Sequence, residues 1–126
     1  MPPPVIPLVR AAEAQIEGVF DPHIVAEVNE AHVKIAKFGA SFDWHAHPDE
    51  DEAFLVLKGR IAIDFRDGSR ELTEGEFLLV PRGMEHRPRA LSEEPVVLMF
   101  ERAGTLNTGD AVDSVLTVAA PKVLAI

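Results

Sequence analysis

Short apolar runs separated by turn residues fill the middle of the chain. From residue 24 onward IVAEV, AHVKIAKF, AFLVLK, RIAIDF, EFLLV and PVVLMFE follow one another, each rich in Val, Ile, Leu or Phe. Between them stand NE, Gly39, KG, RDGS, EG, PRG and SEEP. Evenly spaced short strands with turn signals predict an all-β sandwich or barrel. In RIAIDFRDGSREL, Ile61 and Ile63 alternate with Ala62 and Asp64, and Asp67-Gly68 offers a tight turn, so a hairpin is expected here. AFLVL and FLLV are apolar on both faces and need cover on both. One face would line a barrel. The other would pack on a second sheet, the N-terminal arm or another subunit, which favours a homodimer.

The two ends read differently. Residues 1–10 contain four prolines and are expected to form an extended arm without helix. AAEAQIEGVF, residues 11–20, suits one short helix or turn. The expected organisation is an N-terminal arm over 1–23, a barrel over 24–102 and a C-terminal extension over 103–126. The extension ends in DSVLTVAAPKVLAI, whose apolar runs suit a strand or a helix-like segment. Its last residues are expected to dock on the barrel or a partner subunit, since an exposed apolar end is sticky.

Composition narrows the function classes. A chain of 126 residues fits one domain with one core. A net charge of -9 repels nucleic acid and anionic membrane surfaces. No apolar stretch approaches the roughly 20 residues of a membrane span. The start, MPPPVIPLVRAA, lacks the basic and apolar regions of a signal peptide. Cysteine is absent, which removes disulfides and thiolate ligands and fits a cytoplasmic chain. Tyrosine is absent too, so no tyrosyl acid, base or radical is available.

Candidate chemistry concentrates in WHAHPDEDEAFLVLKG, residues 44–59. On a strand, His45 and His47 would point to one face, a ready pair of metal ligands or simply two half-buried histidines. Asp49, Glu50, Asp51 and Glu52 all qualify chemically as a third ligand, although an acidic run is usually a solvated loop. Glu52 abuts the strand AFLVLK, where a side chain is held rigidly. His86 is a further candidate. It follows FLLV and a Pro-Arg-Gly turn, at the start of the next strand.

Together these residues resemble the cupin superfamily. Its first motif reads here as Gly39, five residues, His45-Ala-His47, four residues, Glu52, six residues and Gly59. Its second reads as Gly75, five residues, Pro81-Arg-Gly83, two residues and His86, with Ala90 in place of the motif's asparagine. EPVVLMFERAGTLNTGD is also similar to small single-domain cupins likened to mannose-6-phosphate isomerase, a likeness of fold and motif rather than reaction. The resemblance implies a jelly-roll β-barrel, or double-stranded β-helix. It implies one divalent transition metal in the barrel mouth, held by His45, His47, Glu52 and His86. Fe, Mn, Ni, Co, Zn and Cu all tolerate three imidazoles and a carboxylate. With octahedral geometry two positions stay open for a small organic or sugar-like molecule, water or dioxygen. A dioxygenase- or isomerase-type metalloenzyme is implied. A non-catalytic ligand-binding or sensor module is the alternative. Without cysteine or tyrosine, crosslinked thiol oxidation and tyrosine-dependent epimerisation drop out. No catalytic residue beyond the ligands is singled out.

Other residues carry weaker expectations. Phe54 and Val56 share parity with Glu52 and should line the interior, joined by Phe65, Phe77, Leu79, Val97 and Met99. Phe42 and Trp44 alternate with the histidines and should face the other way. Arg82 is expected to be solvated, while Arg87 and Arg89 pair with acids at 49–51 or 93–94, or reach the mouth and hold an anion. His23 and His32 are expected at the surface or an interface. Asp43 either orients a ligand histidine or is solvated.

Overall fold

The computed structural model describes residues 1–111 and 113–125. One helix, α1 (Leu8–Gln15), precedes eight strands: β1 (His23–Val28), β2 (Ala31–Lys37), β3 (Glu52–Lys58), β4 (Ile61–Phe65), β5 (Gly68–Leu72), β6 (Phe77–Val80), β7 (His86–Ala90) and β8 (Val96–Arg102). They form a five-stranded sheet ordered β1-β2-β8-β3-β6 and a three-stranded sheet ordered β5-β4-β7. All pairings between these strands are antiparallel. The two sheets face each other as a jelly roll. Among the described residues no helix is long and apolar enough to cross a membrane.

The period of two along each strand divides the apolar residues between two clusters. Inside the barrel, Phe54 and Val56 of β3 meet Val97 and Met99 of β8, Ile61 and Ile63 of β4, and Val80 of β6. Phe65 packs against this cluster. On the outer face of the larger sheet, Ile35, Val96 and Leu98 pack with Ala12 and Ile16 near α1, and with Leu124. The second face of AFLVL is therefore covered by the chain's own ends. Leu124 docks through backbone bonds to Ile24, whose N–H donates to the Lys122 carbonyl and whose carbonyl accepts from Leu124, both at 2.8 Å. Ile126, the last residue of the expected docking segment, lies outside the described residues, as does Val112.

Three local expectations change. The helix begins at Leu8, directly after Pro7, because a proline is harmless where a helix starts and its N–H would be unpaired anyway. The β4–β5 turn is Arg66-Asp67, since Phe65 pairs with Gly68 and that glycine already belongs to β5. Phe77 and Leu79 do not line the interior. They are 59% and 51% exposed on edge strand β6, whose inward positions are Leu78 and Val80.

Candidate metal centre

Four side chains converge at one end of the barrel. Glu52 opens β3 and His86 opens β7, while His45 and His47 lie on the link between β2 and β3. That link is irregular, and its one ladder contact is the bridge from His45 to His86. Strand-like alternation extends across His45-Ala46-His47 and ends just before it. Phe42 is buried in the barrel core and meets the His45 ring edge-on at 5.2 Å. Trp44 does stay away from the histidines, with the Arg66 guanidinium stacked over its ring at 3.9 Å.

His45, His47, Glu52 and His86 are all buried, and one donor atom from each lies within 4.8 Å of the others. Ligands on opposite sides of a metal with bonds of about 2.1 Å stand about 4.2 Å apart, so only a slight contraction is needed. Glu52 Oε1 is 3.2 Å from His47 Nε2 and 3.5 Å from His86 Nε2. Both Nε2 atoms are buried without a hydrogen-bond partner. Buried nitrogens left unpaired around a carboxylate are costly unless something else takes their lone pairs. The tautomers suit that role. His45 Nδ1 donates to the Asp43 carbonyl and His86 Nδ1 to the Met84 carbonyl, each at 2.9 Å, which turns each Nε2 toward the cluster. Burial, helped by the neighbouring His86, lowers the His45 pKa to about 4, so its ring is neutral at pH 7. The adjacent imidazoles of His47 and His86 hold Glu52 below the usual carboxylate range despite its burial.

The expected orienting role of Asp43 falls to its main chain. Its carboxylate instead accepts from Ser114 Oγ, tying the metal loop to the C-terminal extension. The same extension grips Ala46, whose N–H donates to Asp110 Oδ1 at 2.7 Å and whose carbonyl accepts from Asp110 N at 3.0 Å. On the other side, the Gly83 N–H of the PRG turn donates to the His47 carbonyl at 2.8 Å.

A cavity adjoins the cluster. His45, Glu52, Phe54, Phe42, Phe38 and Met99 form much of its wall, with Phe20, Glu101 and Asn107 closing it. Its volume is about 390 Å³, counted out into its open mouth. The arginines stay away. Arg82 is solvated as expected, and at the surface it pairs with Asp51 at 3.3 Å. Arg87 and Arg89 pair with Asp64 at 3.0 and 2.9 Å, neither with the expected acids nor with the mouth, because Asp64 lies opposite Arg87 and diagonal to Arg89 across the β4–β7 ladder. His23 is buried rather than at the surface, sharing the covered face of β1 with Val25, and His32 contacts Glu27 at 3.1 Å.

One acidic residue of the site escaped the motif-based reading. Glu101 is buried in the cavity wall, where burial and the negative charge of Glu52 push its carboxyl up to about 9. Its shared parity with Val97 and Met99 in VVLMFE was the available signal.

The family model described as a cupin domain, Cupin_2, matches residues 31–100. The chain belongs to the cupin family. As a cupin it is 45% identical over 67 residues to YdbB of Bacillus subtilis, a match covering 52% of this chain and 59% of that protein. The matched stretch thus spans less than two thirds of that relative's length. A cupin-2 domain containing protein of Shewanella frigidimarina is 34% identical, with a TM-score of 0.71 over 75% of this chain and 91% of its own. NMB1881 of Neisseria meningitidis is 29% identical, with a TM-score of 0.68 over 79% of this chain and 100% of its own.

Proposed function

We propose that this cupin binds one divalent transition metal through His45, His47, Glu52 and His86 and uses it on a small, largely apolar organic molecule. The observation that carries this reading is the pair of buried, unpartnered Nε2 atoms of His47 and His86 facing Glu52. When bound, the metal supplies Lewis-acid polarisation and open coordination positions for the ligand or dioxygen. The protein's part is to hold the donors still, keep His45 neutral and exclude water with Phe38, Phe42, Phe54 and Met99.

A dioxygenase-type reaction is favoured over sugar-phosphate isomerisation. Among the described residues no lysine or arginine lines the cavity, and Arg82, Arg87 and Arg89 are tied to acids outside it. A phosphate would need such a cation. A non-catalytic binding module is the second reading, supported by the lack, among the described residues, of an unengaged base beside the ligands. Elemental analysis followed by oxygen uptake with Fe(II) and a panel of β-dicarbonyls and catechols tests the enzyme reading. Turnover of sugar phosphates instead would sink the dioxygenase assignment. A thermal shift with these compounds and no turnover of any would support the binding module.

The chain is also read as a homodimer. Phe77 and Leu79 stand exposed on the free edge of β6, and Phe100 is 36% exposed on the same outer face.

A further inference from the structure

The strand-like stretch His45-Ala46-His47 is gripped by its main chain along both edges. On one edge His45 bridges to His86, and the His47 carbonyl accepts from the Gly83 N–H at 2.8 Å. Ala46 turns its main-chain groups to the other edge. Its N–H donates to Asp110 Oδ1 at 2.7 Å, and its carbonyl accepts from the Asp110 N–H at 3.0 Å. One residue that takes both main-chain groups of another is the pattern of an antiparallel bridge. Here the Asp110 carboxylate oxygen stands where a partner strand's carbonyl would be. Ala46 is 5% exposed, so its N–H needs an acceptor. The bare backbone of Gly109 leaves room for the approach, since a Cβ there would meet the Ala46 carbonyl oxygen. The Ala46 N–H belongs to the peptide shared with His45, and the Ala46 carbonyl to the peptide shared with His47. Each peptide is planar, so holding both planes holds φ and ψ of Ala46, the torsions at the centre of the stretch.

We infer that Asp110 is a positioning residue for the His45–His47 pair, acting through the Ala46 main chain. It lies beyond residues 31–100, the stretch that matches the family. The inference rests on the metal reading above. Without the carboxylate, the Ala46 N–H loses its acceptor and the peptide between His45 and Ala46 is free to turn, carrying an imidazole with it. Partners that orient a metal ligand commonly change metal affinity by about 10- to 100-fold when removed. Asp110 acts one bond farther from the ion, which places it at the lower end of that range.

Co(II) binding to the full chain, followed by competition with a chelator and by visible absorption, tests the inference. The absorption band reports how the donors stand around the ion, which a loss of fold stability alone would not move. Asp110→Ala is expected to bind Co(II) about 10-fold more weakly, with an altered band. Asp110→Asn keeps an acceptor oxygen at the same reach and is expected to stay close to wild type in both. Asp110→Glu moves the carboxylate by a methylene and is expected to weaken binding; it decides the matter should Asp110→Ala not fold. Thr117→Val is the control. It breaks the 2.6 Å contact between the Thr108 and Thr117 hydroxyls, elsewhere in the same extension, and is expected to lower the melting temperature and leave Co(II) binding alone. A folded Asp110→Ala protein with wild-type affinity and band overturns the inference. So does an Asp110→Asn protein that falls as far as Asp110→Ala, because charge and not a placed acceptor would then be at work. Equal weakening in Thr117→Val overturns it as well, since loosening the extension anywhere would suffice. Wild-type protein that takes up no Co(II) overturns the metal reading and this inference with it.

Discussion

His45 and His86 are joined main chain to main chain: the His45 N–H donates to the His86 carbonyl at 3.1 Å, and the His86 N–H to the His45 carbonyl at 2.9 Å. Their rings stand 4.3 Å apart, centroid to centroid. The spacing of two of the four donors is thus set by a backbone bridge, which costs little to maintain and cannot change rotamer.

His47→Ala and His86→Ala are each expected to abolish stoichiometric metal. In wild-type protein a chelator should lower the melting temperature, since a ligand at 100 times its Kd stabilises the fold by about 2.7 kcal/mol. That chelator effect should vanish in both variants. Full metal content in His47→Ala, measured by elemental analysis, would remove it from the donor set.

Gly109 faces the opposite side of the same loop. Its φ is +53, and a Cβ built there would collide with the Ala46 carbonyl oxygen and come to 3.1 Å from His47 Nδ1. Gly109→Ala should cost about 1–2 kcal/mol in left-handed backbone strain and also displace His47. Chemical unfolding and metal titration would register the two effects separately. Unchanged metal affinity would mean that the loop yields without moving the histidine.

Asp64 predicts an acid-side loss of stability. Hydrogen bonding to Arg89, with Ser69 and Arg87 contributing, lowers its pKa from 3.8 to about 2. In that window the unfolded chain binds more protons than the folded one, so stability falls as pH falls from 3.8 toward 2. Thermal melts across this range should show a shallower slope in Asp64→Asn than in wild type. Identical slopes would exclude Asp64 as the titrating group.

The homodimer is checked on the outer sheet face. Wild type should sediment as a dimer, and Phe77→Glu with Leu79→Lys as a folded monomer. Neither position contributes to the barrel core, so far-UV dichroism should be unchanged. A monomeric wild type would overturn the dimer.

The strands were legible because each buried face repeats every second residue and each turn carries its own glycine, proline or acid. The cluster of His45, His47, Glu52 and His86 was legible through the resemblance to the cupin motifs, which name these four positions. Phe42 was not, since alternation predicts a side only where a regular ladder continues, and the link after β2 has none. Arg87 and Arg89 were misplaced because their partner, Asp64, is 23 and 25 residues away and becomes a neighbour only through the β4–β7 pairing. Glu101 and Lys34 sit at inward positions that alternation marks, but an inward charge in one strand reveals nothing until its partner strand is known.

All four donors fall inside the stretch 31–100 that matches the family, while Phe20, Pro22, Glu101 and Asn107 of the cavity wall fall outside it. Eight of the twelve described lining residues come from the matched stretch and four from the segments that flank it, so the wall is shared between the two. A substitution at Phe20, Pro22 or Asn107 would reshape the cavity without replacing any of the four clustered side chains.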